Sequence, residues 1–407
     1  IRSAISMGGF GITESAPRAG LSYLASFLES IAHLRRDCPT VWQSTYNKFF
    51  ETGRSASANH SVREFLSQFL DQFSQENMNG DSKFISLKRY DDALRWGTKD
   101  EHPTNKLQAE LCKALLEKEK NSLLALLEDG SDESFNKRHA KAFLLSAAGP
   151  EASSFLQVLP THPFLSLDTQ QFQIICKIYL DMDIHILGDH LPGTKVACAY
   201  CGSESLFSSR HLRTCIKGGH RTSTHHRLNE FILHLCSRAG LVTRKEPRKI
   251  PGLPDAQGPD LAVWFGDEIV YGDVTTREVT AANVISRACS ETLAAANQAE
   301  KDKHESYGNR LKSFYPLVFE TGGAVNKKFV DFCGRIAKNA RDSFHQSISS
   351  NLSFTVKSTT AFLVKSTQLY FRRLQVENVL DLLHKAHTER NRVRAFLSSS
   401  RGTFRPP

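Results

Sequence analysis

The 407-residue chain lacks any run of eighteen or more apolar residues, which excludes a membrane-spanning helix. No basic-then-apolar leader follows Ile1, so no secretory segment is read there. The chain is expected to be a fragment or processed piece of something longer. A secreted disulfide framework is also missing, because nine cysteines are an odd number spread thinly over a large chain. There is no internal repeat. The composition is wrong for disorder, with 40% hydrophobic residues and only 23% charged. Lys+Arg 52 against Asp+Glu 43 leaves +9, a balance that permits a nucleic-acid partner without requiring one.

What is present begins with helical texture. Apolar residues recur at three and four over 20–34, 61–75 and 107–128, which predicts amphipathic helices. A Pro-rich turn at 159–168 then leads into a further helix at 169–180. None of these segments carries a constellation with chemistry, and they read as packing and interaction surface. After 181 the texture changes. A helix at 225–240 closes on Gly240, and strand-like pieces follow at 241–247, 261–265 and 268–275. An Ala-rich helix over 280–304, a strand at 314–320 and a helix at 326–340 complete the order. The expected class is therefore α+β: a helical N-terminal region, a small cysteine-bearing segment, a mixed sheet flanked by helices, and a helical C-terminal tail.

Three of the nine cysteines are bunched. Cys198, Cys201, His211 and Cys215 form a Cys-x2-Cys-x9-His-x3-Cys set, four ligands of the kind that tetrahedral Zn²⁺ takes. With all four positions filled by protein, the metal is expected to be structural. Arg210, Arg213, Lys217 and Arg221 surround the set and are candidates for phosphate contact. His220, His225 and His226 follow closely; one of them could compete as a ligand, but such a cluster reads first as surface. The other six cysteines read as ordinary buried thiols.

Two Pro-Asp pairs occur, Pro254-Asp255 and Pro259-Asp260, and only the second runs straight into an apolar strand. If Gly266-Asp267 is a two-residue hairpin loop, Phe265 faces Glu268 and Asp260 falls directly opposite Asp273. Their Cβ atoms would then lie roughly 5 Å apart on one face. Like charges placed so ask for a cation, and Mg²⁺ suits two carboxylates plus waters. A slip of one residue would separate them to opposite faces.

The sheet-plus-helix order and the Pro-Asp…Asp spacing resemble the PD-(D/E)XK restriction-like nucleases. That family usually places a Lys two residues after the second acid, where this chain has Thr275. In the nuclease domains of some retrotransposons the Lys lies on the following helix, a few residues before a Tyr. Lys301 and Lys303 precede Tyr307 here, and Lys303 matches the spacing better. The family often has an earlier acid, for which Glu246 and Glu230 are candidates and Glu246 is preferred.

A Cys-Cys-His-Cys knuckle directly upstream of such a segment resembles the C-terminal half of site-specific non-LTR retrotransposon proteins. The stretch MGGFGITESAPRAGLSYLAS (7–26) looks like the "GGLGL…A…YLAS" segment that follows the polymerase in related elements. Residues 160–184, 218–240 and 307–323 look like the pre-zinc linker and the flanks of the nuclease segment. The resemblance implies a helical linker region at 1–140 after a polymerase, a helical pre-zinc linker at 141–195 and a zinc knuckle at 196–220. It further implies a restriction-like endonuclease domain at 221–340 and a helical tail at 341–407.

The implied activity is nicking of target DNA to expose a 3′-OH primer for reverse transcription. Asp260 and Asp273 would hold Mg²⁺, Lys303 would polarise phosphate or water, and Glu246 would be the accessory acid. Basic residues at 210–221 and 244–249, among them Arg244 and Lys245, would add backbone affinity. The implied partners are target DNA and the element's RNA, with a polymerase upstream on the same polypeptide, no membrane, and a nuclear location. The alternative is a catalytically inactive nucleic-acid-binding module, and a plain zinc-stabilised scaffold stands behind that.

Overall fold

The computed structural model describes residues 135–158, 165–182, 198–203, 209–215, 217–254, 258–307, 310–349 and 356–401, with a few isolated positions besides. The helices expected at 20–34 and 61–75 lie outside the described residues. The one expected at 107–128 is described only at 121–122 and 124–125, which are helical. The elements from 135 onward belong to one compact unit, which spans 127–407. Its class is α+β, with a four-stranded mixed sheet among helices.

Helix α1 (Phe135–Ala147) and a 3-10 turn (Ser154–Gln157) precede α2 (Thr169–Tyr179). Asp168 caps α2, accepting the Gln171 N–H while the Gln171 side chain accepts the Asp168 N–H. This reciprocal pair satisfies two otherwise orphaned donors. The short α3 (Ser209–Thr214) leads to α4 (His220–Arg238), which starts five residues before the predicted helix. It buries Leu228, Phe231, Ile232, Leu235 and Cys236 at three- and four-residue spacing. Gly240, at φ 86, ends it: the Gly240 N–H reaches the Ser237 carbonyl and the Leu241 N–H the Cys236 carbonyl. That is the double bond of a Schellman stop.

Strands β1 (Val242–Lys245), β2 (Leu261–Phe265), β3 (Glu268–Arg277) and β4 (Phe314–Glu320) lie side by side in sequence order. The first three run antiparallel, and β4 pairs parallel to β3. The β2–β3 register runs from Phe265↔Glu268 to Leu261↔Gly272, as the Gly266-Asp267 turn predicts. Gly266 adopts φ 64, which a side chain would resist. Gly272 is needed for a different reason, since a Cβ there would meet Leu261 Cδ1 at 2.8 Å. Pro316 sits on β4, the outer strand, where its missing N–H costs no ladder bond to a further neighbour.

The Ala-rich segment is not one helix. It forms α5 (Ile285–Ala288) and α6 (Ala294–Tyr307), broken where Leu293 takes φ 65. Around the break, the Cys289 and Ser290 side chains bond back to the carbonyls of Ser286 and Arg287. Such local bonds compete with the helix ladder. Helix α7 (Lys327–Asn339) is capped by Asn326, and α8 (Asp342–Ser347) follows. The last element, α9 (Thr359–Arg401), is 43 residues long. Its first half is core: Phe362, Leu363, Leu369, Phe371, Leu374, Val376, Val379 and Leu382 are all buried.

Candidate functional site

The site begins where the hairpin register places it. One step beyond Leu261↔Gly272, Asp260 stands opposite Asp273. Asp260 is tied down at every polar atom that matters. Its Oδ2 accepts the Val274 N–H at 2.7 Å, and its Oδ1 lies 3.1 Å from His225 Nε2. Its carbonyl accepts the Asn229 side-chain amide at 3.1 Å and the Glu246 N–H at 2.8 Å. His225 and Asn229 are four residues apart on α4, so one helix face holds both ends of the aspartate.

Asp273 is only 2% exposed. Lys303 Nζ, from α6, lies 2.7 Å from its Oδ1, and the Thr275 hydroxyl donates to the same oxygen at 3.3 Å. Burial pushes the Asp273 carboxyl above the usual carboxylate range, and the neighbouring Asp260 charge adds to this. The Lys303 ammonium and the Tyr307 hydroxyl pull the other way. Tyr307 donates to the Gly258 carbonyl at 2.9 Å and packs with Ile250, Leu253, Leu311 and Phe314. This apolar anchor fixes the end of α6 that carries Lys303. Lys301, the other candidate, has a 71%-exposed side chain and pairs with Glu305. His225 is raised above the ordinary histidine range, chiefly by its hydrogen bond to Asp260 against the opposing effect of burial.

The earlier acids fare differently. Glu246 follows β1 at φ 43, and its carboxylate faces His226 at 4.0 Å and Arg248 at 3.6 Å. Only its backbone joins the aspartate pair. Glu230 forms an exposed ion pair with Lys245 at 2.7 Å. The basic candidates also divide. Lys217, Arg221, Arg244 and Lys245 are exposed. Arg213 is not: its side chain is 2% exposed, pairs with Asp181 at 3.0 Å and stacks over Phe143 at 4.3 Å. The sequence grouped Arg213 with phosphate contacts; its position in the fold makes it a core ion pair instead. Arg210 is half-buried, and burial lowers it.

Upstream of the acids, the four knuckle side chains meet. The Sγ atoms of Cys198, Cys201 and Cys215 and the His211 ring all lie within 4.8 Å of one another. Cys198 and Cys215 Sγ are 3.8 Å apart, and Cys201 Sγ is 3.5 Å from His211 Nε2. The turn that brings the first pair round has Gly202 at φ 72, with its N–H on the Cys198 carbonyl. Burial lifts the Cys215 thiol to about 11, so gathering these thiols as thiolates calls for a cation. The set could hold a metal ion. Among the described residues it is the one group of three or more Cys, His, Asp or Glu that meets so closely.

The three histidines after it go elsewhere: His220 to Asp381, His225 to Asp260, and His226 to Glu246. Of the remaining thiols expected to be buried, Cys236 and Cys333 are, Cys176 and Cys289 are only partly so, Cys38 is exposed, and Cys112 lies outside the described residues.

Sequence reasoning read His225 first as a surface histidine, whereas it holds Asp260, and it did not name Asn229. Their signal was the four-residue spacing on a helix that precedes the hairpin. Comparison with family models and with curated proteins finds nothing that matches the chain.

Proposed function

We propose that the chain is the DNA-nicking part of a non-LTR retrotransposon protein: a Mg²⁺-dependent endonuclease of the restriction-like type, with a zinc knuckle that positions DNA. The observation that carries this is the 2.7 Å pair between Lys303 and Asp273. Position 275 offers a Thr where the family pattern wants a Lys, and the ammonium arrives from α6, four residues before Tyr307. Two crowded carboxylates, one of them buried, are a costly feature to place on the inner strands of a sheet. Function explains their retention better than stability does.

Asp260 and Asp273 are hard oxygen donors of the kind Mg²⁺ takes alongside water, and they would hold it. Bound there, the metal would supply Lewis acidity and an activated water. The chain's own groups do the rest. His225, Asn229 and the Val274 N–H fix Asp260, Thr275 steadies Asp273, Tyr307 anchors the end of α6, and Lys303 orients a phosphate against the two acids. The exposed Lys217, Arg221 and Arg244 add sequence-independent contacts to the DNA backbone. The order of α4 to β4, a helix, three antiparallel strands, the broken helix α5–α6 and a parallel strand, supports the restriction-like assignment.

For the knuckle, tetrahedral Zn²⁺ with Zn–S of about 2.3 Å requires sulfurs about 3.8 Å apart, and a sulfur–imidazole separation of about 3.5 Å. The separations of 3.8 Å and 3.5 Å agree. The nick would prime reverse transcription of the element's RNA by a polymerase on the same polypeptide, in the nucleus.

Nicking of a supercoiled plasmid tests this. Wild type should nick with Mg²⁺ and stop with a chelator, while Asp260→Ala and Lys303→Ala should each lose on the order of 100-fold or more. Equal nicking by wild type and Asp260→Ala would sink the proposal. A second reading, an inactive DNA-binding module, draws on Thr275 and on a Lys303 charge already engaged with Asp273. It expects salt-dependent retention of DNA by a chain that never nicks.

A further inference from the structure

We infer that the sheet face carrying the acid pair continues, toward the hairpin end, into a stacking surface for single-stranded DNA, with Trp264 and Tyr271 as its aromatic contacts. The choice of DNA rests on the function proposed above, but the surface itself uses neither acid. Strand register lays it out. Val242, Trp264 and Ile269 are direct cross-strand neighbours, and so are Arg244, Ala262 and Tyr271. One more step of two residues brings Asp260 and Asp273. Positions two apart on a strand share a face, so these are three successive rows at intervals of about 7 Å.

The row at the hairpin end is apolar. Val242 is 66% exposed and Ile269 37%, with the half-buried Trp264 between them. Apolar side chains exposed singly need no explanation, but three joined in one row do. In the next row Tyr271 is half-buried and packs on Ile250, Leu253 and Phe314. Trp264 and Tyr271 are diagonal neighbours on adjacent strands, roughly 7–8 Å apart.

Cations border these rings. Arg244 lies on the same face, one row from Val242, and Lys249 sits on the turn that brings Ile250 onto Tyr271. Both are exposed, and neither has an ion-pair partner among the described residues. Lys245 and Arg248 beside them do, with Glu230 and Glu246.

This mixture selects the occupant. A duplex presents phosphates and keeps its base faces inside its own stack, so it would meet the cations and leave the apolar row without a partner. An unpaired strand offers phosphates to Arg244 and Lys249 and base faces to the aromatic residues, and every base has a face that can stack. A second copy of the chain, meeting this face about a two-fold axis, would bring the same cations together, and like charges repel.

The test is fluorescence anisotropy of the full chain with a labelled oligo(dT) strand and with a duplex of the same length. Trp264→Ala should bind the single strand about tenfold more weakly and change duplex binding by less than about twofold. Trp264→Phe should hold the strand within about threefold of wild type, since a ring remains to stack on. Tryptophan emission should be quenched by oligo(dT) in wild type, and the quench should largely disappear in Trp264→Phe. Val242→Ser changes an open position, so it keeps the test decisive if Trp264→Ala fails to fold. It should keep the wild-type Tm and bind the strand about threefold more weakly. Unchanged single-strand affinity in Val242→Ser and in a folded Trp264→Ala would overturn the inference. So would equal losses on strand and duplex, tighter binding of the matching oligo(U), or a wild-type dimer that Val242→Ser splits. A chain that holds the strand through Trp264 but never nicks leaves the surface standing and fails the nuclease proposal alone.

Discussion

His225 shows how much a single side chain can carry without announcing itself in the sequence. It stands beside His226 at the start of a helix, and nothing in the pair tells which ring faces inward. The hairpin decides it: Asp260 reaches α4 one helical turn from Asn229, so His225 takes the carboxylate and His226 takes Glu246. The aspartate pair itself was legible, because a two-residue turn fixes the parity of every partner along the hairpin. Its supports were not, because they come from another element.

The His225–Asp260 bond also has a pH signature. The partner raises the histidine, so protonation favours the folded state. The stabilisation is complete below the unfolded value of about 6.5 and disappears as pH rises through the higher folded value. His225→Ala should therefore lose about 1–2 kcal/mol at pH 5.5 and clearly less at pH 8.5, measured by urea unfolding. An equal loss at both values, or a larger one at pH 8.5, would mean that the bond is not charge-assisted.

Elements differed in legibility for a physical reason. Strands β2 and β4 are bounded by turn residues and match their predicted limits, and α7 begins at its Asn cap. The break between α5 and α6 has no Gly or Pro to mark it, because Leu293 itself takes the left-handed conformation. The role of α9 was invisible as well, since a helix with polar residues on its buried face reads as solvent-exposed.

Arg372 is the extreme case. It is fully buried, and its guanidinium donates to the carbonyls of Thr321, Gly322 and Ala152 and to the Gln375 side chain. The rings of Phe155 and Tyr179 each lie 5.4 Å from it. Burial pulls its pKa down to about 10, so it still carries its charge at neutral pH. Arg372→Met would strand three carbonyls, and we expect a loss of about 3 kcal/mol or more by chemical denaturation. Gly323→Ala should destabilise comparably, because its Cβ would collide with the same guanidinium from a backbone at φ 108. Wild-type stability in either variant would show that this turn is not held by α9.

At the scale of the molecule, the cluster of three cysteines and His211 is joined to α9. Tyr200 and His220 both reach Asp381, and Arg213 beyond His211 pairs into the core through Asp181. With zinc bound there as proposed, chelation or Cys215→Ser should lower Tm by several degrees, and the two together should do no more than either alone. Additive losses would separate the cysteine from the metal.

Truncation tests how much of the core α9 supplies. Removing everything after Ser358 strips Phe362, Leu369, Phe371 and Leu374 from the core, and at about 1.5–3 kcal/mol for each large buried side chain no ordinary domain survives that. The chain cut there should therefore show no cooperative thermal transition, judged by circular dichroism. A transition near the wild-type Tm after this cut would mean that α9 is not part of the core.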